Sequence, residues 1–111
     1  MGCICIKDRL WRKNRSPDVV NGTDCFGTDI NRNFEPNFGG IGSDNDACSD
    51  LYHGPAAFSE AESTAIVNLL SSTRGQTKAY IAIHSKEQVW MCPFGFTAQL
   101  PADYDEMVVQ F

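Results

Sequence analysis

An α/β fold is predicted by two neighbouring signals in the second half of the chain. One is a capped amphipathic helix over 59–72, and the other is the short apolar run 79–83, which reads as a strand buried on both faces. A third observation, the Gly-, Asn-, Asp- and Pro-rich stretch 16–57, predicts long loops around that unit, and long loops in a compact domain are often functional.

The first ordered feature along the chain is the basic run 9–15, Arg9-Leu-Trp-Arg-Lys-Asn-Arg15. The helix follows the loops: Ser59-Glu-Ala-Glu62 has the form of a capping box, and Ala61, Ala65, Ile66, Leu69 and Leu70 recur at helical spacing as the expected core face. It should end near Ser72, before Gly75. Residues 78–84 then form a strand that ends in His84-Ser85. Polar residues just past the carboxyl end of such a strand point into the usual ligand crevice of an open α/β sheet, and His84 holds that place. Residues 87–92 read as another strand and 93–97 as a turn. Pro101-Ala-Asp103 caps a helix that begins near Tyr104 and is cut off at Phe111.

At 111 residues with 42% apolar content, the chain is one domain at most. Its net charge of -5, with acidic residues gathered over 42–50, argues against a nucleic-acid footprint and favours a small organic or peptide partner. No run of 18 apolar residues exists, so no membrane span is expected, and the start Met1-Gly-Cys-Ile-Cys-Ile6 is too short for a signal peptide. Acylation at that end is disfavoured, because Ile6 stands where the myristoylation pattern wants Ser or Thr.

Four stretches taken in order carry a family resemblance: Asp8-Arg-Leu-Trp-Arg-Lys-Asn-Arg-Ser16; Gly27-Thr-Asp-Ile-Asn-Arg-Asn-Phe34; Cys48-Ser-Asp-Leu-Tyr-His-Gly-Pro55 with Ala57-Phe-Ser-Glu60; and Ile81-Ala-Ile-His-Ser85 with Pro93-Phe-Gly-Phe-Thr97. Together they resemble the zinc metallocarboxypeptidases that include the pancreatic A and B enzymes. The resemblance covers 8–107 and leaves 1–7 as an unmatched N-terminal segment. It implies that 8–111 is an internal part of the catalytic domain: a piece of a mixed, mainly parallel sheet with flanking helices and long loops.

The resemblance also implies an activity, the zinc-dependent removal of residues from peptide C-termini. His84 matches the family's third zinc ligand, and Arg12 matches the arginine that stabilises the oxyanion of the tetrahedral intermediate. Asn31 and Arg32 match the pair that binds the substrate's terminal carboxylate, where a planar guanidinium can engage both oxygens. Arg9 and Ser85 match residues of the next subsites inward. Lys13 and Arg15 are expected to be a solvated basic face, and His53 to be structural. Cys25 and Cys48 match a disulfide, leaving Cys92 unpaired; with the sequon Asn21-Gly-Thr23, the bridge leans the natural home towards the secretory pathway. A monomer is expected.

Part of the family's site is not matched. The other two zinc ligands come from a His-x-x-Glu motif upstream of Arg9-Leu-Trp-Arg12, and the general-base glutamate and mobile tyrosine lie downstream of the matched stretches. His84-Ser-Lys-Glu87 has the letters of His-x-x-Glu, but an odd offset along a strand points to opposite faces, so Glu87 is expected to be accidental. Two readings follow. One is a carboxypeptidase of which this chain carries part of the active site; the other is an inactive truncated product that keeps only the carboxylate-binding pair.

Overall fold

The computed structural model describes residues 9–17, 24–86 and 88–109. Residues 1–7, the sequon residue Asn21, Glu87 and Phe111 lie outside that set. The chain divides into two units, Met1–Arg74 and Gly75–Phe111. Regular structure among the described residues is a 3-10 turn Ile30–Arg32, helix α1 Ala61–Ser72 and helix α2 Tyr104–Val109.

The first unit is assembled from loops around a polar interior. Besides Gly27 and Gly54, its buried residues are Ala47 and Tyr52 together with Lys13, Thr28, Asp29, Asn33, Glu60 and Ser63. Burying a polar group is costly unless it is hydrogen-bonded; the Thr28 hydroxyl has no such partner among the described residues, whereas Asn33 is fully engaged. Its amide nitrogen donates to the carbonyls of His53 (2.8 Å) and Ala56 (3.0 Å) and to Ser59 Oγ (2.9 Å). Its Oδ1 accepts from Glu60 N at 3.2 Å and Ser63 Oγ at 2.5 Å. Gly54 makes this approach possible: φ is 86° there, and a Cβ would stand 2.8 Å from both Asn33 Nδ2 and Ser59 Oγ.

This network replaces the expected capping box. α1 starts at Ala61 rather than Ser59, its N-cap Glu60 makes no side-chain cap bond, and Ser59 Oγ donates instead to Glu60 Oε1 at 2.7 Å. The distant Asn33 takes over the helix entrance because its amide can both accept from Glu60 N and hold Ser59. The end at Ser72 is as expected, with Thr73 N donating to Leu69 O at 3.0 Å. The expected apolar face is not the buried one. Ala61, Ala65 and Leu69 are exposed, Ile66 and Leu70 are half-buried, and Ser63 is fully buried. The helix docks through its polar first turn, and its aliphatic stripe is left partly exposed, with Leu69 63% exposed.

Lys13 overturns the expectation of a solvated basic face. It is only 7% exposed, its ammonium donates to Ala47 O at 2.6 Å, and it lies 5.7 Å from the Tyr52 ring centroid. Burial pushes its pKa below the ordinary lysine value, opposed by the nearby charges of Asp50 and Asp46. Arg15 is exposed but ordered by stacking: its guanidinium carbon sits 3.7 Å from the Trp11 ring centroid, and Trp11 in turn stacks on Phe26 at 4.9 Å. The Cys25–Cys48 disulfide is present, with Cα atoms 5.0 Å apart, inside the range such a bridge requires.

The two predicted strands are not paired. Residues 78–84 and 88–92 join no ladder, and β pairing among the described residues is one isolated parallel bridge, Asp44 with Tyr52. Tyr80 and Ile81 are each 61% exposed and Ile83 is 93% exposed. A strand of this composition needs neighbours on both edges and cover on both faces, and the described residues of the Gly75–Phe111 unit supply neither. That unit does form α2 at the expected place. Met107 N donates to Asp103 O at 3.1 Å, and Asp105 and Glu106 stand in the first turn, where the helix dipole favours negative charge. No helix among the described residues is long and apolar enough to cross a membrane.

Candidate functional site

Two short backbone bonds create the site by laying residues 14–16 beside 27–28. Asn14 N donates to Thr28 O at 2.9 Å and Gly27 N to Ser16 O at 3.1 Å. The Asn14 side chain reinforces the pairing, since its Oδ1 accepts from Thr28 N at 2.7 Å and from Ser16 N at 3.2 Å. Gly27 has φ of 81°, and a Cβ there would run into the Asn14 carbonyl, so glycine is required at this crossing. The crossing brings Arg12 alongside Asp29, 17 positions away in sequence.

Asp29 is the N-cap of the 3-10 turn, and its Oδ1 accepts from Asn31 N at 3.1 Å. Its Oδ2 accepts from Arg12 Nε at 2.8 Å and is ion-paired with Arg12 Nη2 at 2.7 Å. Arg32 closes the turn: its backbone N donates to Asp29 O at 2.9 Å, and its Nε lies 3.9 Å from Asp29 Oδ2. The Arg32 guanidinium is further held by Gly42 O, which accepts from Nε at 2.7 Å, and by Asn31 O, which accepts from Nη1 at 3.1 Å. The bonds described use Nε and Nη2 of Arg12 and Nε and Nη1 of Arg32, so Nη1 of the first and Nη2 of the second remain.

The electrostatics follow from the exposures. The Asp29 side chain is 5% exposed, whereas those of Arg12 and Arg32 are 38% and 30% exposed. One sunken carboxylate thus sits beneath two guanidinium groups that reach solvent, leaving a net positive charge on the outer side. Such a surface can bind an anion, and bidentate arginine contacts to a carboxylate are among the stronger hydrogen bonds available. Asn31 is exposed on the same turn.

Of the residues singled out from sequence, the structure brings Arg12, Asn31 and Arg32 together. Arg9 is exposed in the same unit, while His84 and Ser85 are exposed in the Gly75–Phe111 unit. His53 is built into its loop, with Nδ1 within 2.7 Å of Gly54 O and its ring edge-on to Phe38 at 4.6 Å. Among the described residues no three His, Cys, Asp or Glu side chains gather as a metal-binding group. The donor set described therefore does not make a zinc site by itself. Sequence reasoning gave no role to Asp29. The signal that could have found it is Asp29-Ile-Asn-Arg32, an N-cap acid opening a turn that carries two candidate ligand-binding residues.

A family model described as zinc carboxypeptidase matches residues 3–110. Among curated relatives, human mast cell carboxypeptidase A is 41% identical over 101 residues, covering 91% of this chain and 24% of its own length. Carboxypeptidase A2 of Mus musculus is 44% identical over 100 residues, covering 90% of this chain and 23% of its own length. Among solved structures, carboxypeptidase A from Helicoverpa armigera superposes with a TM-score of 0.84 at 37% identity over 92% of this chain and 24% of that one. Bovine thrombin-activatable fibrinolysis inhibitor in complex with tick carboxypeptidase inhibitor gives 0.83 at 36% identity, over 93% of this chain and 34% of that one. The chain spans about a quarter of the length of these curated relatives.

Proposed function

Because the chain belongs to the zinc carboxypeptidase family, we propose that it works in the removal of C-terminal residues from peptides. It supplies the groups that hold the substrate's terminal carboxylate and face its scissile carbonyl. The observation that carries this reading is the convergence of Arg12 and Arg32 on Asp29, with both guanidinium groups open to solvent above it. Arg32 and Asn31 bind the terminal carboxylate. Arg12 points a fixed positive charge at the oxygen where negative charge develops, a role in which a preorganised donor contributes about 3 kcal/mol. Arg9 and Ser85 line the neighbouring subsites and His84 is a zinc ligand.

The family's zinc supplies Lewis-acid chemistry and an activated water when bound. The described donors do not by themselves complete its site. Residues 8–111 belong to the catalytic domain, with its mixed, mainly parallel sheet, flanking helices and long loops. The protein is a secreted monomer; the Cys25–Cys48 bridge supports an oxidising compartment.

The test titrates the full chain with blocked dipeptides bearing a free C-terminal carboxylate and with their amides, and separately assays zinc-dependent release of the terminal residue. Acid should bind at least ten-fold tighter than amide, and Arg32→Ala should abolish the difference. Equal affinity for acid and amide would overturn the carboxylate site. Acid-selective binding without release under added zinc would favour the second reading, a carboxylate-binding chain without catalysis, to which the incomplete donor set among the described residues also points.

A further inference from the structure

Asn14 follows Arg12 by two positions and Asn33 follows Arg32 by one, and both asparagines fold onto the same residue, Glu60. We infer that Glu60 is a positioning residue of this site, whose carboxylate, through Asn14, and whose backbone N–H, through Asn33, together set the separation of the two segments that carry Arg12 and Arg32; this rests on the carboxylate-binding reading above.

The partners of Asn14 fix which way its amide faces. Oδ1 accepts from Thr28 N and Ser16 N, so Nδ2 is turned to Glu60 and donates to Oε2 at 2.6 Å, with Glu62 Oε2 further off at 3.4 Å. The other oxygen of Glu60, Oε1, accepts from Ser59 Oγ at 2.7 Å, while Glu60 N donates to Asn33 Oδ1 at 3.2 Å. Carboxylates are seldom fully buried without a cation beside them, yet Glu60 is 3% exposed and the partners described for its side chain are neutral. What it offers these donors is two acceptors and no N–H or O–H of its own. A ligand-binding guanidinium works only when held to within about 0.5 Å, and the Arg12 and Arg32 side chains, 38% and 30% exposed, have solvent to move into. The backbone behind them therefore has to be fixed, and Glu60 fixes it for both segments at once. It need not touch the ligand, since it acts through the asparagines.

The experiment uses the full chain with nitrogen-15-labelled arginine, and an N-acetyl amino acid with its amide as probes. Asn14→Asp keeps the oxygen that Thr28 N and Ser16 N need but sets a carboxylate against that of Glu60. It should shift the Arg12 Nε signal and weaken acid binding by about ten-fold or more, leaving amide binding unchanged. Adding Glu60→Gln to Asn14→Asp reverses the polarity of the link, the glutamine now donating to the aspartate, and should return the signal and most of the affinity. Ser63→Ala removes a hydroxyl from the same buried cluster without touching Asn14, and should keep the wild-type preference for acid. If Asn14→Asp does not fold, Glu60→Ala against Glu60→Gln carries the test, since the first deletes the acceptor for Asn14 and the second keeps one. A wild-type Arg12 signal and acid affinity in Asn14→Asp would overturn the inference. So would a double variant no better than Asn14→Asp, or an equal loss of preference in Ser63→Ala. Equal binding of acid and amide by the wild type would instead overturn the functional reading, while an Arg12 signal displaced by Asn14→Asp and restored in the double variant would still establish that Glu60 positions the Arg12 segment.

Discussion

The ammonium of Lys13 donates to the carbonyl of Ala47 at 2.6 Å, which fastens the segment carrying Arg12 to the residue just before the disulfide cysteine Cys48. The bond is buried, and the desolvated ammonium has its pKa pushed down despite the opposing charges of Asp50 and Asp46. A lysine whose pKa is lower folded than unfolded binds fewer protons in the native state. Its burial penalty is therefore fully present at low pH and is shed as pH rises from the folded value towards the ordinary 10.5. The urea midpoint of the wild type should rise relative to that of Lys13→Met as pH is raised towards 10.5. Parallel curves for the two proteins would show that Lys13 is not desolvated in the fold.

Asn33 predicts a contrast between two neighbouring substitutions. Asn33→Ala strips partners from Glu60 N, Ser63 Oγ, Ser59 Oγ and two carbonyls at once, leaving buried donors and acceptors unmade. It should cost about 3 kcal/mol or more, whereas Ser63→Ala removes one bond to Asn33 and should cost about 1 kcal/mol. Urea denaturation of both variants measures the difference; similar costs would mean that the network is not centred on Asn33.

What was legible in the sequence was local. Helix α1 ends at Ser72 and α2 begins at Tyr104 because Thr73, Gly75 and Asp103 act over one turn, within reach of a reading by motif. The entrance to α1 was misread because Asn33, 27 positions before Glu60, outcompetes Ser59 for the cap. The burial of Lys13 was equally hidden, since its partner lies 34 positions away and a Lys between two arginines looks solvated. The apolar run 79–83 carries strand composition, but a ladder is a property of its neighbours, and composition alone does not provide them. At the site, the arginines were legible through the family resemblance. Asp29 was not, because its part emerges only when residues 12 and 29 meet.

The disulfide should contribute through the unfolded chain. Its cysteines are separated by 23 positions, and closing a loop of that size corresponds to about 3 kcal/mol in the chain-entropy treatment. In a Cys92→Ser background, which removes the free thiol among the described residues, Cys25→Ser with Cys48→Ser should lower stability by about that amount in urea. Because Lys13 hangs on Ala47, the same double substitution should loosen residues 12–14, read as faster amide exchange at Asn14. A loss confined to residues 44–50 would show that the bridge does not support the Arg12 segment.

Asp44 supplies the acid side of the stability profile. Its pKa is held below the ordinary 3.8, chiefly by the Asp46 backbone N–H, which donates to Oδ1 at 2.9 Å. The Ser49 hydroxyl, the Asn45 N–H and the charge of His53 add to this against a smaller opposing effect of burial. The carboxylate lies where the chain turns back on itself: Asp44 N donates to Leu51 O at 3.0 Å, and Asp44 O accepts from His53 N at 3.1 Å. A carboxylate with a depressed folded pKa contributes stability that is complete above 3.8 and is lost as pH falls through the lower folded value. Asp44→Asn keeps an oxygen for the Asp46 N–H but cannot ionise, so it should be less stable than the wild type at pH 7 and converge with it on acidification. Urea midpoints at pH 7, 4, 3 and 2.5 measure this. A gap between the two proteins that stays constant across the series would mean that the charge of Asp44 contributes nothing and that its hydrogen bonds alone shape the loop.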